Sequence, residues 1–165
     1  MNKICKLRRI SLICAMLTAV LIFLFSSQNS TESTKVGNSV TFIIAGILID
    51  DFKDMTNEQK NKVINSINMY VRKAAHFTIY TILSIFVSTF MFTYAVSLKN
   101  GVIGIIICAL YAATDEFHQF FIPGRACLIT DVLIDTSGAC LGALIVYLIY
   151  IIYKKSRRTN ENKTN

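Results

Sequence analysis

Ionisable and amide side chains occur in three clusters of an otherwise apolar chain. The clusters are, in chain order, Arg72, Lys73 and His76; Asp115, Glu116 and Gln119; and Arg125, Asp131 and Asp135. Histidine and carboxylate groups can transfer protons, whereas arginine and lysine can hold an anion such as a phosphate. The residue types therefore predict a site that binds or acts on a charged molecule, provided that the fold brings the clusters together.

The composition indicates an integral membrane protein. The chain has 165 residues, of which 53% are hydrophobic and only 16% charged, and its mean hydropathy is +0.51. An ionisable side chain at the centre of a bilayer costs about 2.5–3.5 kcal/mol, so the three clusters are functional candidates. The net charge of +7 does not indicate nucleic-acid binding, because the basic residues concentrate outside the apolar runs at the two termini.

Four apolar segments are long enough, or nearly so, to cross a bilayer as helices. They lie at about residues 10–27, 74–98, 101–121 and 132–153. We expect an all-α fold, a polytopic membrane helical bundle in one domain over residues 1–165. Basic residues flank the first and last spans, so the positive-inside rule places both termini in the cytoplasm. Residues 28–71 then form an extracytoplasmic loop, and 154–165 form a cytoplasmic tail.

The loops carry local signals of their own. Thr56-Asn57-Glu58-Gln59 has the form of a capping box and predicts the start of a short amphipathic helix that can run into the second span. Its apolar residues recur at helical spacing: Val63, Ile64, Ile67, Tyr70 and Val71. The apolar run Val40–Ile49 is too short to span and predicts a surface or re-entrant segment. Lys99-Asn100-Gly101 predicts a tight turn between two spans.

In this topology all three clusters lie in the outer half of the membrane. At 1.5 Å per helical residue, His76, Glu116 and Asp135 each lie roughly 6–8 Å below the outer end of their span. Gly138-x-x-x-Gly142 continues the face of Asp131 and Asp135 and permits close helix approach. The proposed proton-transfer residues are His76, Asp115 and Glu116. The proposed binding residues are Arg72, Lys73, Tyr80, Gln119, Arg125, Asp131 and Asp135. The alternative is that these charges only pair with one another and lock the helix ends together.

The order and spacing of these motifs resemble the VanZ-like family of small bacterial membrane proteins over about Phe25 to Tyr147. The resemblance rests on Ser26-Ser27-Gln28 together with the clusters above, Tyr80, Pro123-Gly124 and the two glycines. The family usually has Asn where this chain has Asp135. The resemblance implies a location in the bacterial cytoplasmic membrane and an association with lowered sensitivity to teicoplanin, a lipid-tailed glycopeptide. It implies no chemical mechanism.

Several functions stay open at this point. One is an enzyme, a hydrolase or transferase acting on a lipid-linked phosphate; another is a protein that binds an envelope lipid or precursor, or shields it from a lipoglycopeptide. A divalent metal would use Asp115, Glu116, Asp131 and Asp135, but no HExxH motif and no zinc-type cysteine spacing accompanies them, so we expect no metal site. A transporter is less favoured, because four spans lack an evident repeat. The sequence does not define a cofactor, a substrate or an oligomeric state.

Overall fold

All of the regular structure in residues 3–164 is helical. A computed structural model describes these residues, without the side chains of 30–32, 36 and 158–164. The α-helices are α1 (Lys3–Ser26), α2 (Ser30–Leu48), α3 (Asn57–Phe92), α4 (Leu98–Gln119) and α5 (Ile129–Thr164), with a 3-10 turn at Asp50–Lys53 before α3. The all-α prediction is confirmed. Residues 1, 2 and 165, which belong to the predicted termini, lie outside the described part.

Four of these helices are long and apolar enough to cross a membrane: α1, α3, α4 and α5 up to Arg157. They correspond to the four predicted spans. With 36 residues, α3 is about 54 Å long, well beyond the roughly 30 Å of a hydrocarbon core. Its first half, which is the predicted amphipathic helix, therefore extends beyond the bundle without a break.

α3 is the central helix and packs against each of the other four. Its most extensive partner is α5, and the close approach is possible because Gly138 and Gly142 face the backbone of α3. Two hydroxyl groups of α3 donate hydrogen bonds to α5 at this contact: Thr81 Oγ1 to the Gly138 carbonyl at 3.1 Å, and Ser84 Oγ to the Ala139 carbonyl at 2.6 Å. The glycine pair thus packs within the molecule, as the sequence predicted.

The segment between α1 and α3 is more ordered than predicted. The capping box is present, because Thr56 and Gln59 exchange hydrogen bonds between side chain and backbone. However, the sequence predicted one helix in residues 28–71 and missed α2. Most of the run Val40–Ile49 forms the second half of this helix, which ends at Leu48. Ala45 of α2 and Phe52 of the 3-10 turn pack with Ile64 on the first half of α3. Tyr70, one of the apolar residues that recur at helical spacing, is 66% exposed.

The predicted turn at Lys99-Asn100-Gly101 is wrong. α3 ends at Phe92, and these three residues belong to the first turn of α4. The hydroxyl of Ser97 caps that turn by accepting a hydrogen bond from the Asn100 backbone N–H at 3.2 Å. The real connection is therefore residues 93–97, where Arg8 of α1 donates to the Thr93 carbonyl at 3.1 Å.

Candidate functional site

The three polar clusters lie at the same end of the bundle, which we call the Arg72 end. Two of them meet directly across α3 and α5. The Arg72 Nη2 and Lys73 Nζ atoms lie 4.0 and 3.6 Å from the two oxygens of Asp131. One turn deeper, His76 Nδ1 lies 3.6 Å from Asp135 Oδ1. All three contacts are slightly longer than ordinary hydrogen bonds.

The remaining cluster is tied to α1. Asp115 Oδ2 accepts a hydrogen bond from Ser26 Oγ at 2.8 Å and one from Gln119 Nε2 at 3.3 Å. Glu116, although adjacent to Asp115, points elsewhere and accepts from the Leu128 backbone N–H at 3.0 Å. The two carboxylates therefore engage different partners, as their 100° separation on a helix requires.

Arg125 connects α1 to the α4–α5 loop. Gly124 adopts a positive φ of 76°, and this turn directs Arg125 back towards the end of α1. The guanidinium donates to the Gln28 carbonyl at 3.0 Å, to the Phe25 carbonyl at 3.2 Å and to Gln119 Oε1 at 3.0 Å. Burial, reinforced by the charge of Arg72, lowers the pKa of Arg125, but a guanidinium is charged in any protein environment. Arg125 is thus largely occupied in holding the site together.

Four polar side chains of the predicted site lie deep in the protein. Tyr80 and Asp135 are fully buried, and Asp115 and Glu116 are at most 4% exposed. Several of their atoms have no hydrogen-bond partner within the described part of the chain: the Tyr80 hydroxyl, Asp115 Oδ1, Glu116 Oε1 and both oxygens of Asp135. These groups therefore form a buried layer of carboxyl and hydroxyl groups.

A cavity of about 520 Å³ opens beside this layer, between α1, α2 and α3. Its basic wall consists of Arg72, His76 and Arg125, and much of the remaining wall is apolar, including Ile22 and Ile79. Of the ten predicted site residues, these three line the cavity. The other seven lie beside or behind it: Lys73, Tyr80, Asp115, Glu116, Gln119, Asp131 and Asp135.

The structure also adds residues that the sequence did not assign to the site. Ser26 lines the cavity and holds Asp115, while the Gln28 carbonyl receives Arg125. The only sequence signal for them was the Ser-Ser-Gln motif, whose role was not evident. Asn65 and Asn68 line the cavity from the first half of α3 and carried no signal. His118 stacks on Phe23 and contacts Ser27, away from the cavity.

The acidic residues are not arranged as a coordination site. Within the described residues, no three His, Cys, Asp or Glu side chains are placed to hold a metal ion together. Asp115, Glu116, Asp131 and Asp135 instead point to separate partners: Ser26, the Leu128 backbone, the Arg72–Lys73 pair and His76. The four acidic residues considered from the sequence are thus not brought together around one point in the described part of the chain.

The fold and the site define a multi-pass helical membrane protein with a basic, partly apolar cavity at one end of its bundle. The family model of VanZ/LLP1 matches residues 11–151 of the chain. Because this match covers most of the 165 residues, the protein belongs to the VanZ/LLP1 family, as the resemblance implied. Searches of curated proteins and of solved structures gave no significant match.

Proposed function

We propose that the protein binds an anionic amphiphile of the cell envelope, a lipid or a lipid-linked precursor, in the cavity at the Arg72 end. The observation that carries this proposal is the cavity wall itself, which combines Arg72 and His76 with apolar side chains in one space of about 520 Å³. Cavities of this size suit small-molecule ligands. A ligand with a hydrocarbon part and one anionic group matches both kinds of wall.

Arg72 is the main anion-binding group in this proposal. Its side chain is 50% exposed, and its contact with Asp131 is a long 4.0 Å. Such a partly exposed ion pair contributes little stability, so the guanidinium can turn towards a ligand at small cost. Arginine also binds phosphate and carboxylate in a bidentate manner. Arg125, which is committed to three acceptors, adds positive potential and holds the wall in place.

We expect the Arg72→Ala variant to bind an anionic lipid about tenfold more weakly, which corresponds to about 1.4 kcal/mol. Removing the guanidinium removes the strongest charge-assisted donor of the cavity. The measurement is the dissociation constant of phosphatidylglycerol for the purified protein in a neutral detergent, obtained by native mass spectrometry.

Lys62→Ala is the matched control for that measurement. It also removes a positive charge from α3, but Lys62 lies away from the cavity in an exposed pair with Glu58. Its dissociation constant should stay at the wild-type value. If both variants bind phosphatidylglycerol as the wild type does, the cavity is not the binding site.

A hydrolase or transferase acting on a lipid-linked phosphate is the second candidate. It is favoured by His76, which lines the cavity while its Nδ1 faces the buried Asp135 at 3.6 Å. A carboxylate behind a histidine can orient the ring and stabilise its protonated form, as in other acid–base sites. Asp115 and Glu116, by contrast, do not reach the cavity, so His76 is the proton-transfer residue in this candidate.

His76→Gln separates the two candidates. Glutamine keeps a hydrogen-bonding group but cannot transfer protons at neutral pH. If the protein is an enzyme, its activity should therefore fall by a factor of at least about 100. The readout is teicoplanin sensitivity in bacteria whose protection depends on this protein, compared at equal protein level. If the His76→Gln variant retains protection and the Arg72→Ala variant loses it, binding is the only one of the two candidate functions that remains. Glu116→Gln serves as the control, because Glu116 does not line the cavity and its Oε2 accepts a hydrogen bond from the Leu128 backbone N–H.

The orientation of the chain belongs to the same proposal. We infer that the Arg72 end faces the exterior of the bacterial cytoplasmic membrane and that both termini are cytoplasmic, because basic residues flank α1 and follow α5. This would place the cavity on the side where teicoplanin acts.

Cysteine labelling in intact cells tests this orientation. Cys127 and Cys5 are both exposed and lie near opposite ends of the bundle. A membrane-impermeant maleimide should modify a variant that retains only Cys127 and spare one that retains only Cys5. Permeabilised cells, in which both should react, provide the control. Labelling of Cys5 alone in intact cells would reverse the proposed topology.

A further inference from the structure

We infer that the ligand of this cavity carries an uncharged, hydrogen-bonding head group attached beyond its anionic group. This inference rests on the proposed binding function and specifies the chemical class of the ligand. It derives from the order in which different side chains occur along the cavity wall. That order is apolar, then basic, then uncharged with two asparagine amides.

The order can be followed along α3, which supplies a wall of the cavity from Ile79 back to Asn65. These positions are separated by about 21 Å at 1.5 Å per residue. Ile79, with Ile22 of α1, forms the deep apolar end. His76 and Arg72 follow at the level where Arg125 also reaches the wall.

Beyond Arg72 the wall changes character. The lining residues there come from α3 and from the part of α2 that faces Asn68, and in the described part of the chain they are uncharged: Gly37, Val40, Asn65, Asn68, Met69 and Val71. No acidic or basic residue occurs in this outer part of the described lining. Among the described side chains, this part of the wall offers no carboxylate to a cationic head group and no arginine or lysine to a second phosphate. Hydroxyl or amide groups of a ligand would find matching partners.

The outer part is also held in a defined shape. Asn68 Nδ2 donates to Asn38 Oδ1 at 2.8 Å, and Asn68 Oδ1 accepts from Thr41 Oγ1 at 3.3 Å. Both partners lie on α2, so Asn68 fixes α2 against α3 and is engaged in doing so. Asn65 is exposed on the cavity wall one turn further out, and its amide is the group that we assign to the head group.

A set of lipids with identical acyl chains tests the inference on the full-length protein. Phosphatidylglycerol has an anionic phosphate and an uncharged diol head, phosphatidic acid lacks the head, and phosphatidylcholine replaces it with a cation. We expect phosphatidylglycerol to bind at least about fivefold more tightly than phosphatidic acid and phosphatidylcholine, by native mass spectrometry. Glycerol phosphate, which lacks the chains, should not compete at tenfold excess.

Asn65→Leu should abolish the preference for phosphatidylglycerol over phosphatidic acid while leaving the affinity for phosphatidic acid unchanged. Asn61→Leu is the matched control, because Asn61 is exposed one turn away and does not line the cavity. Asn65→Asp is a second, polar variant and should weaken phosphatidylglycerol binding, because it adds a negative charge to a cavity wall that faces an anionic lipid.

The outcomes distinguish this inference from the function on which it rests. Equal affinity for phosphatidic acid and phosphatidylglycerol, with both weakened by Arg72→Ala, would overturn the inference and keep the binding function. Failure of both anionic lipids to bind better than phosphatidylcholine, with no effect of Arg72→Ala, would overturn the binding function itself. Effective competition by glycerol phosphate would overturn the role of the apolar end.

Discussion

Gly138→Ala should lower the free energy of unfolding by about 3 kcal/mol, the upper part of the usual range for overpacking a well-packed interior. A Cβ atom at this position would overlap the Phe77 carbonyl oxygen and lie 3.2 Å from Thr81 Oγ1. Because the first of these contacts is with backbone, no side-chain rotation relieves it. α5 must move away from α3, which weakens the hydrogen bonds from Thr81 and Ser84 to α5.

The measurement is reversible unfolding of the purified protein in mixed micelles, followed by circular dichroism. Gly101→Ala is the matched control in another membrane helix, because its Cβ would come no closer than 3.6 Å to the Phe92 ring. It should be neutral or stabilise by up to about 1 kcal/mol, since alanine favours helix more than glycine does. Equal stability of the two variants would contradict the close α3–α5 packing.

The spans and the convergence of the clusters were predictable because both depend on local features. Hydropathy over a window marks a spanning helix, and the rise per residue fixes the depth of a side chain within it. Thus Arg72 and His76 on α3 could be matched in depth to Asp131 and Asp135 on α5, and the structure places these residues in contact.

The division of the site into cavity wall and buried layer could not be predicted in the same way. It depends on the rotation of each helix about its own axis, which neighbouring helices decide. Asp115 faces Ser26, 89 residues away, and Arg125 faces the Phe25 carbonyl, 100 residues away. No local pattern in the sequence records these partners.

Errors in the connections have a different origin. The Lys99-Asn100-Gly101 segment has turn-forming residues, but Ser97 upstream provides a better helix cap and includes them in α4. α2 was missed because its first half is polar and its apolar second half alone is short. Its stability comes from packing on the part of α3 that extends beyond the bundle. The sequence does not reveal that this part of α3 offers a packing surface to another helix.

Structural pairing accounts for one group of the charged residues, and the ligand binding that we propose concerns another. Asp115, Gln119 and Arg125 have their main partners within the protein and join α1, α4 and the loop after α4. Arg72 and His76 line the cavity, and their carboxylate partners lie at 4.0 and 3.6 Å. Substitutions in the first group should therefore act mainly on stability, and substitutions in the second mainly on ligand affinity.

Arg125→Ala provides the clearest case of the first group, and we expect it to lower the free energy of unfolding by about 3 kcal/mol. The substitution leaves the Phe25 and Gln28 carbonyls and Gln119 Oε1 without their charged donor, and hydrogen bonds to charged groups contribute about 1.5–3 kcal/mol each when buried. The expected loss is smaller than the sum of the three hydrogen bonds, because Arg125 is only half-buried and water can replace part of its donors in the variant. Thermal or denaturant unfolding in micelles measures the change.

Arg125→Lys should recover little of this stability, because an ammonium group lacks the planar array of donors that reaches three acceptors at once. That variant keeps the positive charge, so it separates geometry from electrostatics. Lys62→Ala again serves as the control and should change stability by less than about 0.5 kcal/mol. Full recovery by lysine would show that Arg125 acts through its charge, in which case it belongs with Arg72 in binding the anion. Failure of lysine to recover stability would assign Arg125 to positioning the cavity wall.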